Sequence, residues 1–528
     1  MTTEVERTTA YARLSRHWPI LLVLCLSGCV YIFMPLQLQA MEPYAYAAAI
    51  EKYFRLSDTF ALAQGQYIPE FGRYHPNHPI GHTLAALAYD YLGIPALDWI
   101  RCINIGSAIL SGWQIYLIGR QLGLHRLGST VAAGIFLSTH GTFIAVFSGE
   151  WHMPAVALSL AGFLNALLYI KGKRIFSFTV SALFLTVAVC YHFAAISYFA
   201  PTGCLLLFLN IASGRWRSTL VVGSIVALVL LNAYLVIPWI LFSLDSIQDW
   251  ARIFLIYRYL DHIRYVGLEW PIFAFRTVYH AFMQILPEMT FKDWLVLPFT
   301  IATLLSVWRF STNRRFGPKR ALFLSILIWW PLAQWIFGAR ANGLNGWLFS
   351  TPLLCITFAD VFMRLPRRLL FLSSALVASL FFWNFFHLVW PNHTKAEDET
   401  FLFQPPRTMA RETPVAFVVG ELVYAMPEIW YAGSKLGFRN QATFLPCCGE
   451  HGYRRRLRRW LRENPGAVIV TDSAPEITEG FLRSEGFRYS RWLDRTVTWP
   501  ANFIPATIFL QRDPGYQYNK RLVVWLPE

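Results

Sequence analysis

The chain has 528 residues, 55% of them hydrophobic and only 15% charged, with a mean hydropathy of +0.39. Soluble globular proteins carry charges at roughly 25%, and the apolar residues here gather into many windows long enough to cross a bilayer, which excludes an ordinary soluble fold. The net charge of +15 would suit a nucleic-acid partner, but outside the C-terminal region the basic residues sit in alternate inter-helix loops, the positive-inside pattern of a polytopic membrane protein. The partner expected is the lipid bilayer, and no nucleic acid.

The N-terminus carries Arg7, Arg13 and Arg16 and is placed in the cytoplasm. The first apolar run, Trp18 to Leu38, is too long for a signal-peptide core and lacks a small-residue cleavage site, so it reads as span one. Residues 39–96 then lie outside. Span two, about 97–119, returns to Arg120 and Arg126; span three, about 128–148, ends at Gly149-Glu150; span four follows and reaches Lys171, Lys173 and Arg174. Spans five and six, about 176–193 and 195–212, share a continuous apolar stretch broken mainly by His192 and Pro201, and span seven, about 219–242, opens a second external segment, 243–292. Span eight, about 293–308, leads into the most basic loop, with Arg309, Arg314, Arg315, Lys319 and Arg320. Spans nine to eleven follow at about 321–338, 346–362 and 369–390. Eleven spans put the N-terminus inside and the C-terminal region outside. The expected fold is therefore a polytopic α-helical membrane domain over 1–391 and a soluble extracytoplasmic α/β domain over 392–528.

Two external stretches read as amphipathic helices at the interface: Glu42 to Phe54, and residues 80–92, started after Pro79. In the C-terminal region, strands are expected at 416–419, 467–471, 506–510 and 521–525, with helices to Lys435, over 454–464 and over 475–484; alternation of this kind implies a small α/β sheet. No GxGxxG follows a strand, so no nucleotide cofactor is expected. Cys25, Cys29, Cys190, Cys204 and Cys355 lie in apolar runs, with Cys102 at the start of another, and all six read as small core hydrophobes. The vicinal Cys447-Cys448 pair has no CxxC spacing and indicates no zinc site. Asn392-His393-Thr394 fits a short glycosylation acceptor pattern.

Glu42 and Glu150 carry the chemistry. Each stands at the end of a long apolar helix on the same external side, where a carboxylate is costly and marks a functional site by default. Low dielectric raises a carboxyl pKa toward a value useful for accepting a proton from a hydroxyl, an amine or water. A phosphate leaving group would need cations on that face, and the candidates are His75, His78, Arg340, Arg73 and His280. Plainer roles remain open for each: a helix-start cap for Glu42, a turn at Ser148-Gly149-Glu150, a rigid loop for His75-Pro-Asn-His78-Pro. Arg340, in a glycine-rich turn, is either a headgroup anchor or part of a phosphate-binding nest. The i,i+3 histidines permit a divalent metal, but no matching third ligand indicates one.

Four features in order over residues 42–150 resemble the C-type fold of membrane glycosyltransferases, nearest the protein O-mannosyltransferase and lipid A aminoarabinose transferase branch. They are the acid-plus-tyrosine helix Glu42-Pro43-Tyr44-Ala45-Tyr46, the proline-started helix from His78-Pro79, the span from Arg101 to Gly119-Arg120, and Ser148-Gly149-Glu150. The resemblance implies that Glu42 stands for the catalytic first-loop acid, usually aspartate, and Glu150 for the second-loop acid. Histidine stands where the family has a lysine or similar cation. It implies a donor sugar on a polyprenyl phosphate but does not identify the acceptor, which is expected to be a glycan, lipid or protein with the C-terminal domain as the place where it is chosen; the expected location is a bacterial inner membrane. The alternative reading is a lipid-linked sugar transporter or flippase, or a non-catalytic lipid-binding scaffold. A transporter should show polar residues deep in several spans or paired broken helices.

Overall fold

A computed structural model describes residues 17–33, 41–51, 78–147, 151–241, 246–251, 281–283, 292–312, 317–336, 348–364, 366–390, 401–406, 409–419, 422–438, 442–446, 450–471, 475–499 and 518–528. The helices are α1 (Trp18–Phe33), α2 (Met41–Ile50), α3 (Pro79–Leu92), α4 (Ala96–Gln121), α5 (Arg126–Ser138), α6 (His140–Phe147), α7 (His152–Gly172), α8 (Ile175–Tyr191) and α9 (Ile196–Ala212). They continue with α10 (Trp216–Leu231), α11 (Lys292–Thr312), α12 (Pro318–Ile336), α13 (Thr351–Phe362) and α14 (Arg367–Asn384). Among the described residues four are long and apolar enough to cross a membrane, or five if the bent α5–α6 pair is one span. The chain is an integral membrane protein.

Local chemistry sets the ends of these helices. Pro79 opens α3 with a fixed φ and no orphan N–H, and Gly93, at φ 66, closes it in the left-handed conformation while its N–H caps Tyr89. Asp98 in the first turn of α4 and Arg120 in the last both oppose the helix dipole. Where two helices must approach closely, the side chains are small. A Cβ on Gly162 of α7 would lie 2.5 Å from Leu185 of α8, and Ser181 of α8 donates to the Gly162 carbonyl at 2.8 Å. Close backbone approach of this kind, rather than apolar burial, drives helix association in lipid. Buried amides add cross-links: Tyr169 donates to Asn210 Oδ1 at 2.7 Å, and Asn210 Nδ2 to Thr219 at 2.7 Å, tying α7, α9 and α10.

Two expectations need correction. The single third span is broken at Thr139 into α5 and α6, bent by 55°. Thr139 is extended (φ −71, ψ 149); its hydroxyl donates to the Phe136 carbonyl and accepts from the Thr142 N–H, so it ends one helix and caps the next. The Ser138 carbonyl freed by the break accepts from Asn384 of α14 at 2.8 Å, which is how a broken helix is tolerated inside a membrane bundle. The cysteines are the second case. Cys190 and Cys355 are buried, whereas Cys25, Cys29, Cys102 and Cys204 are exposed. In lipid the outside of the bundle is as apolar as its core, so a small hydrophobe has no need of the interior. The outward face of α10 makes the same point, with Leu220, Val221 and Leu228 each about three-fifths exposed.

The C-terminal region forms one five-stranded mixed sheet of order β2-β1-β3-β5-β4. Its strands are β1 (Val415–Val419), β2 (Ala442–Pro446), β3 (Val468–Thr471), β4 (Tyr489–Trp499) and β5 (Tyr518–Pro527), with helices α15 (Leu422–Ser434), α16 (Glu450–Glu463) and α17 (Pro475–Ser484) between them. β2, β1 and β3 run parallel, and β5 and β4 are antiparallel to their neighbours. β2 and β4, the two edges, went unread in the sequence. The expected strand at 506–510 and Cys447-Cys448 lie outside the described residues. Alternation along the strands divides the sheet into two faces. Val415, Phe417, Val468, Val470, Leu522 and Val524 share one apolar core with the membrane helices, whereas Ala416, Val418, Ile469, Val523 and Trp525 pack on Leu457 and Leu461 of α16 and on Phe481 and Leu482 of α17. The arginine-rich α16 therefore covers the face turned away from the membrane helices.

Candidate active site

α2 has ten residues, too few to be stable alone in water, so its position depends on what it packs against. Its last turn is tied down by Glu51, 6% exposed, whose Oε1 accepts from the Ala96 N–H at 2.7 Å, the first residue of α4. That contact also satisfies one of the orphan N–H groups at the start of α4. Position 42 lies in the first turn of α2, one helical turn before Tyr46 and on the same side of the helix.

Tyr46 leads into a cluster of four buried histidines, 0–6% exposed. Its ring meets His82 edge-on at 4.6 Å and His78 at 6.0 Å. His78 lies 4.8 Å from His192, and His192 lies 4.0 Å from His152. Trp151 closes the group, 5.7 Å from His82 and stacked at 6.4 Å on Tyr46. A Cβ on Gly81 would fall 2.7 Å from the Trp151 ring, so only glycine leaves room for the indole there. The cluster draws on four elements: α2, the proline-started α3, the start of α7 beside Glu150, and the break between α8 and α9.

The hydrogen bonds assign protons within the cluster. A carbonyl only accepts, so the contact of His78 Nδ1 with the Tyr191 carbonyl at 3.1 Å makes Nδ1 the donor. The next residue shows the opposite pattern. The Ala194 N–H donates to His192 Nδ1 at 3.0 Å, which leaves that nitrogen unprotonated and His192 neutral, with its proton on Nε2. Adjacent imidazoles of two tautomers can thus share one apolar pocket without two like charges meeting.

Of the residues singled out in the sequence, His78 is in this cluster and Glu42 belongs to the helix that bounds it; the side chain of Glu42 lies outside the described residues. Glu150, Arg73, His75, His280 and Arg340 also lie outside them. His82, His152 and His192 were missed as a group. Their signal was available: His192 marks the break between two apolar runs, His152 follows Glu150 by two residues, and His82 lies one turn beyond His78. Among the described residues no group of three or more His, Cys, Asp or Glu is arranged to hold a metal ion.

No family model and no curated protein sequence matches the chain. Solved structures do. The chain is similar to ArnT from Cupriavidus metallidurans bound to undecaprenyl phosphate, with a TM-score of 0.58 and 13% identity over 97% of this chain and 98% of that one. The chain has the C-type fold of membrane glycosyltransferases. ArnT in the apo state gives a TM-score of 0.55 at 12% identity over 98% of both chains. The likeness thus runs from end to end of this C-type chain and includes the C-terminal sheet, so the resemblance seen in residues 42–150 is borne out at the level of fold.

Proposed function

We propose that the chain transfers a sugar from a polyprenyl-phosphate-linked donor to a glycan, lipid or protein acceptor at the outer face of the membrane. The observation that carries this reading is the end-to-end likeness to a protein seen with undecaprenyl phosphate. The helix that holds Glu42, the buried histidines beside it and the start of α7 next to Glu150 support it. The positive-inside pattern places that face, and residues 392–528 with it, outside the cytoplasm; the location proposed is a bacterial inner membrane.

In this mechanism an acceptor hydroxyl or amine attacks the anomeric carbon as the bond from that carbon to the phosphate oxygen breaks. The electron pair leaves with the polyprenyl phosphate, and the acceptor's proton passes to Glu42 as general base. Glu150 is the second carboxylate and orients the acceptor. Arg340, Arg73, His75, His78 and His280 meet the phosphate charge, arginine by a bidentate fork and histidine by single bonds. For His78 such a contact falls to Nε2, because Nδ1 serves Tyr191. The sheet region is proposed to select the acceptor.

The bent α5–α6 pair favours a second reading, a transporter of lipid-linked sugars, since broken helices line many transport sites. One experiment separates the two. The purified chain in liposomes is given radiolabelled polyprenyl phosphate mannose or aminoarabinose together with an envelope extract. Transfer moves label from the carrier to another molecule; transport moves the intact carrier across the bilayer. Label that stays on a carrier that stays in its leaflet would leave only the binding scaffold.

A further inference from the structure

α2 is gripped from its other side by the C-terminal region. Tyr44, 5% exposed, stands two residues beyond position 42 and roughly opposite it around the helix. Its ring meets Trp430 of α15 edge-on at 5.1 Å and Phe401 at 6.0 Å, and Phe401 stacks on Tyr431 at 4.2 Å with the planes 8° apart. α15 is the most extensive packing partner of α2 among the described elements.

Phe401 is itself held by a buried charge. Glu428 of α15 is fully buried, and its two oxygens accept from the N–H groups of Leu402 at 3.0 Å and Phe403 at 2.9 Å. A buried carboxyl group is costly unless it is hydrogen-bonded, and these two bonds offset that cost only with the segment held in this place. Here they fix the segment 401–403 against α15, with Phe401 presented to Tyr44. A chain of contacts therefore runs from Glu428 through Phe401 and Trp430 to Tyr44, and on through α2 to position 42.

We propose that the C-terminal region is a working part of the reaction site: the Trp430–Tyr44–Phe401 clamp, locked by Glu428, sets the placement of the Glu42 helix. Trp430 and Glu428 are positioning residues that act through α2. The inference rests on the reading of Glu42 as the base, and its test keeps the two apart. A ten-residue helix has little stability of its own, and a small misplacement of a reacting group costs up to about 10²-fold in rate. The clamp therefore matters for turnover rather than for donor binding.

The test uses the full chain in nanodiscs. Hydrogen exchange of the segment 41–50 is compared in wild type, Trp430→Ala, Trp430→Phe and Glu428→Gln, with 152–172 as an internal control. Release of polyprenyl phosphate from labelled polyprenyl phosphate mannose and aminoarabinose, with the envelope extract supplying the acceptor, gives kcat and KM. Trp430→Ala and Glu428→Gln should speed exchange in 41–50 by about ten-fold or more while 152–172 is unchanged. They should lower kcat by about ten-fold or more with KM within about two-fold, and Trp430→Phe, which keeps an aromatic edge, should restore both. Where Trp430→Ala is not recovered from the membrane, Trp430→Leu replaces it. Unchanged exchange in 41–50 would overturn the clamp whatever the activity. Faster exchange with normal kcat would overturn its role in the reaction. Glu42→Gln, run alongside, reports on the base by itself: if it turns over normally, the Glu42 assignment has failed while the exchange result still decides the clamp.

Discussion

Tyr46 meets His82 edge-on, ring centroids 4.6 Å apart, and this contact joins the helix of the first acid to the proline-started helix of the histidine segment. The two residues are 36 positions apart in the chain, and both are buried. The same pocket reaches His152, two residues from Glu150, through His78 and His192.

Glu42→Gln removes a proton acceptor while keeping size and shape. Turnover should fall by roughly 10²-fold or more, with donor binding intact. The measurement is single-turnover release of polyprenyl phosphate by variant protein correctly inserted in liposomes. Near-normal turnover would move the base role to Glu150 or remove it.

Arg340→Ala should weaken binding of polyprenyl phosphate by about ten- to a hundred-fold, the scale of a lost charge-assisted contact. Arg340→Lys should recover only part, because a point charge replaces a fork. His78→Ala should cost less, as His75 can substitute. Titration of each purified variant with polyprenyl phosphate decides; wild-type affinity in Arg340→Ala would reduce that residue to a headgroup anchor.

Gly81→Ala tests the packing of the pocket. In an exposed helix this change stabilises by about 1 kcal/mol, but here the new methyl would press on Trp151 at 2.7 Å. Overpacking should win and lower stability by about 1–3 kcal/mol, seen as a lower unfolding midpoint together with reduced turnover. A raised midpoint would show that Trp151 yields at no cost.

Loop charge predicts topology. Cysteine labelling should find residues near Arg315 and Arg367 cytoplasmic, and a tag after Glu528 should be external. A cytoplasmic tag would remove one of the eleven spans expected from the sequence.

The sheet should show one modest pH effect. Hydrogen bonds from Arg521 hold the Asp494 carboxyl below its ordinary value. Its folded pKa is thus below the unfolded value of about 4, so the stabilisation is present above that value and is lost as pH falls through the folded one. The pair is exposed and worth under about 1 kcal/mol. Asp494→Asn should lower the unfolding midpoint near neutrality, and the difference from wild type should shrink as the pH falls below about 4; a difference that persists undiminished in acid would point to packing instead.

Hydropathy and loop charge were enough to locate the helices. The observed bounds of α4, α8, α9, α12 and α14 fall within a few residues of the expected spans, because a run that must lie in hydrocarbon is apolar on every side and needs no partner to be recognised. The central strands β1, β3 and β5 were legible for a similar reason, being buried on both faces. β2 and β4 are edges: Ala442–Pro446 ends in proline, and Tyr489–Trp499 carries Arg491, Asp494 and Arg495. Edge strands tolerate proline and charge, which hides them from a search for apolar runs.

The sequence by itself thus determined the membrane character, the helix order and the two acids as candidates, since each follows from the cost of placing polar groups in or near hydrocarbon. Only the tertiary structure decided which residues meet. The break at Thr139 depends on Asn384, 245 positions later, to satisfy a freed carbonyl. The four histidines converge because α3, α7 and the α8–α9 break pack side by side, and Tyr44 finds Trp430 only once α15 has packed on α2. Contacts of this length leave no local periodicity, because they are specified by the shapes of packed surfaces and not by the spacing of residues along one element.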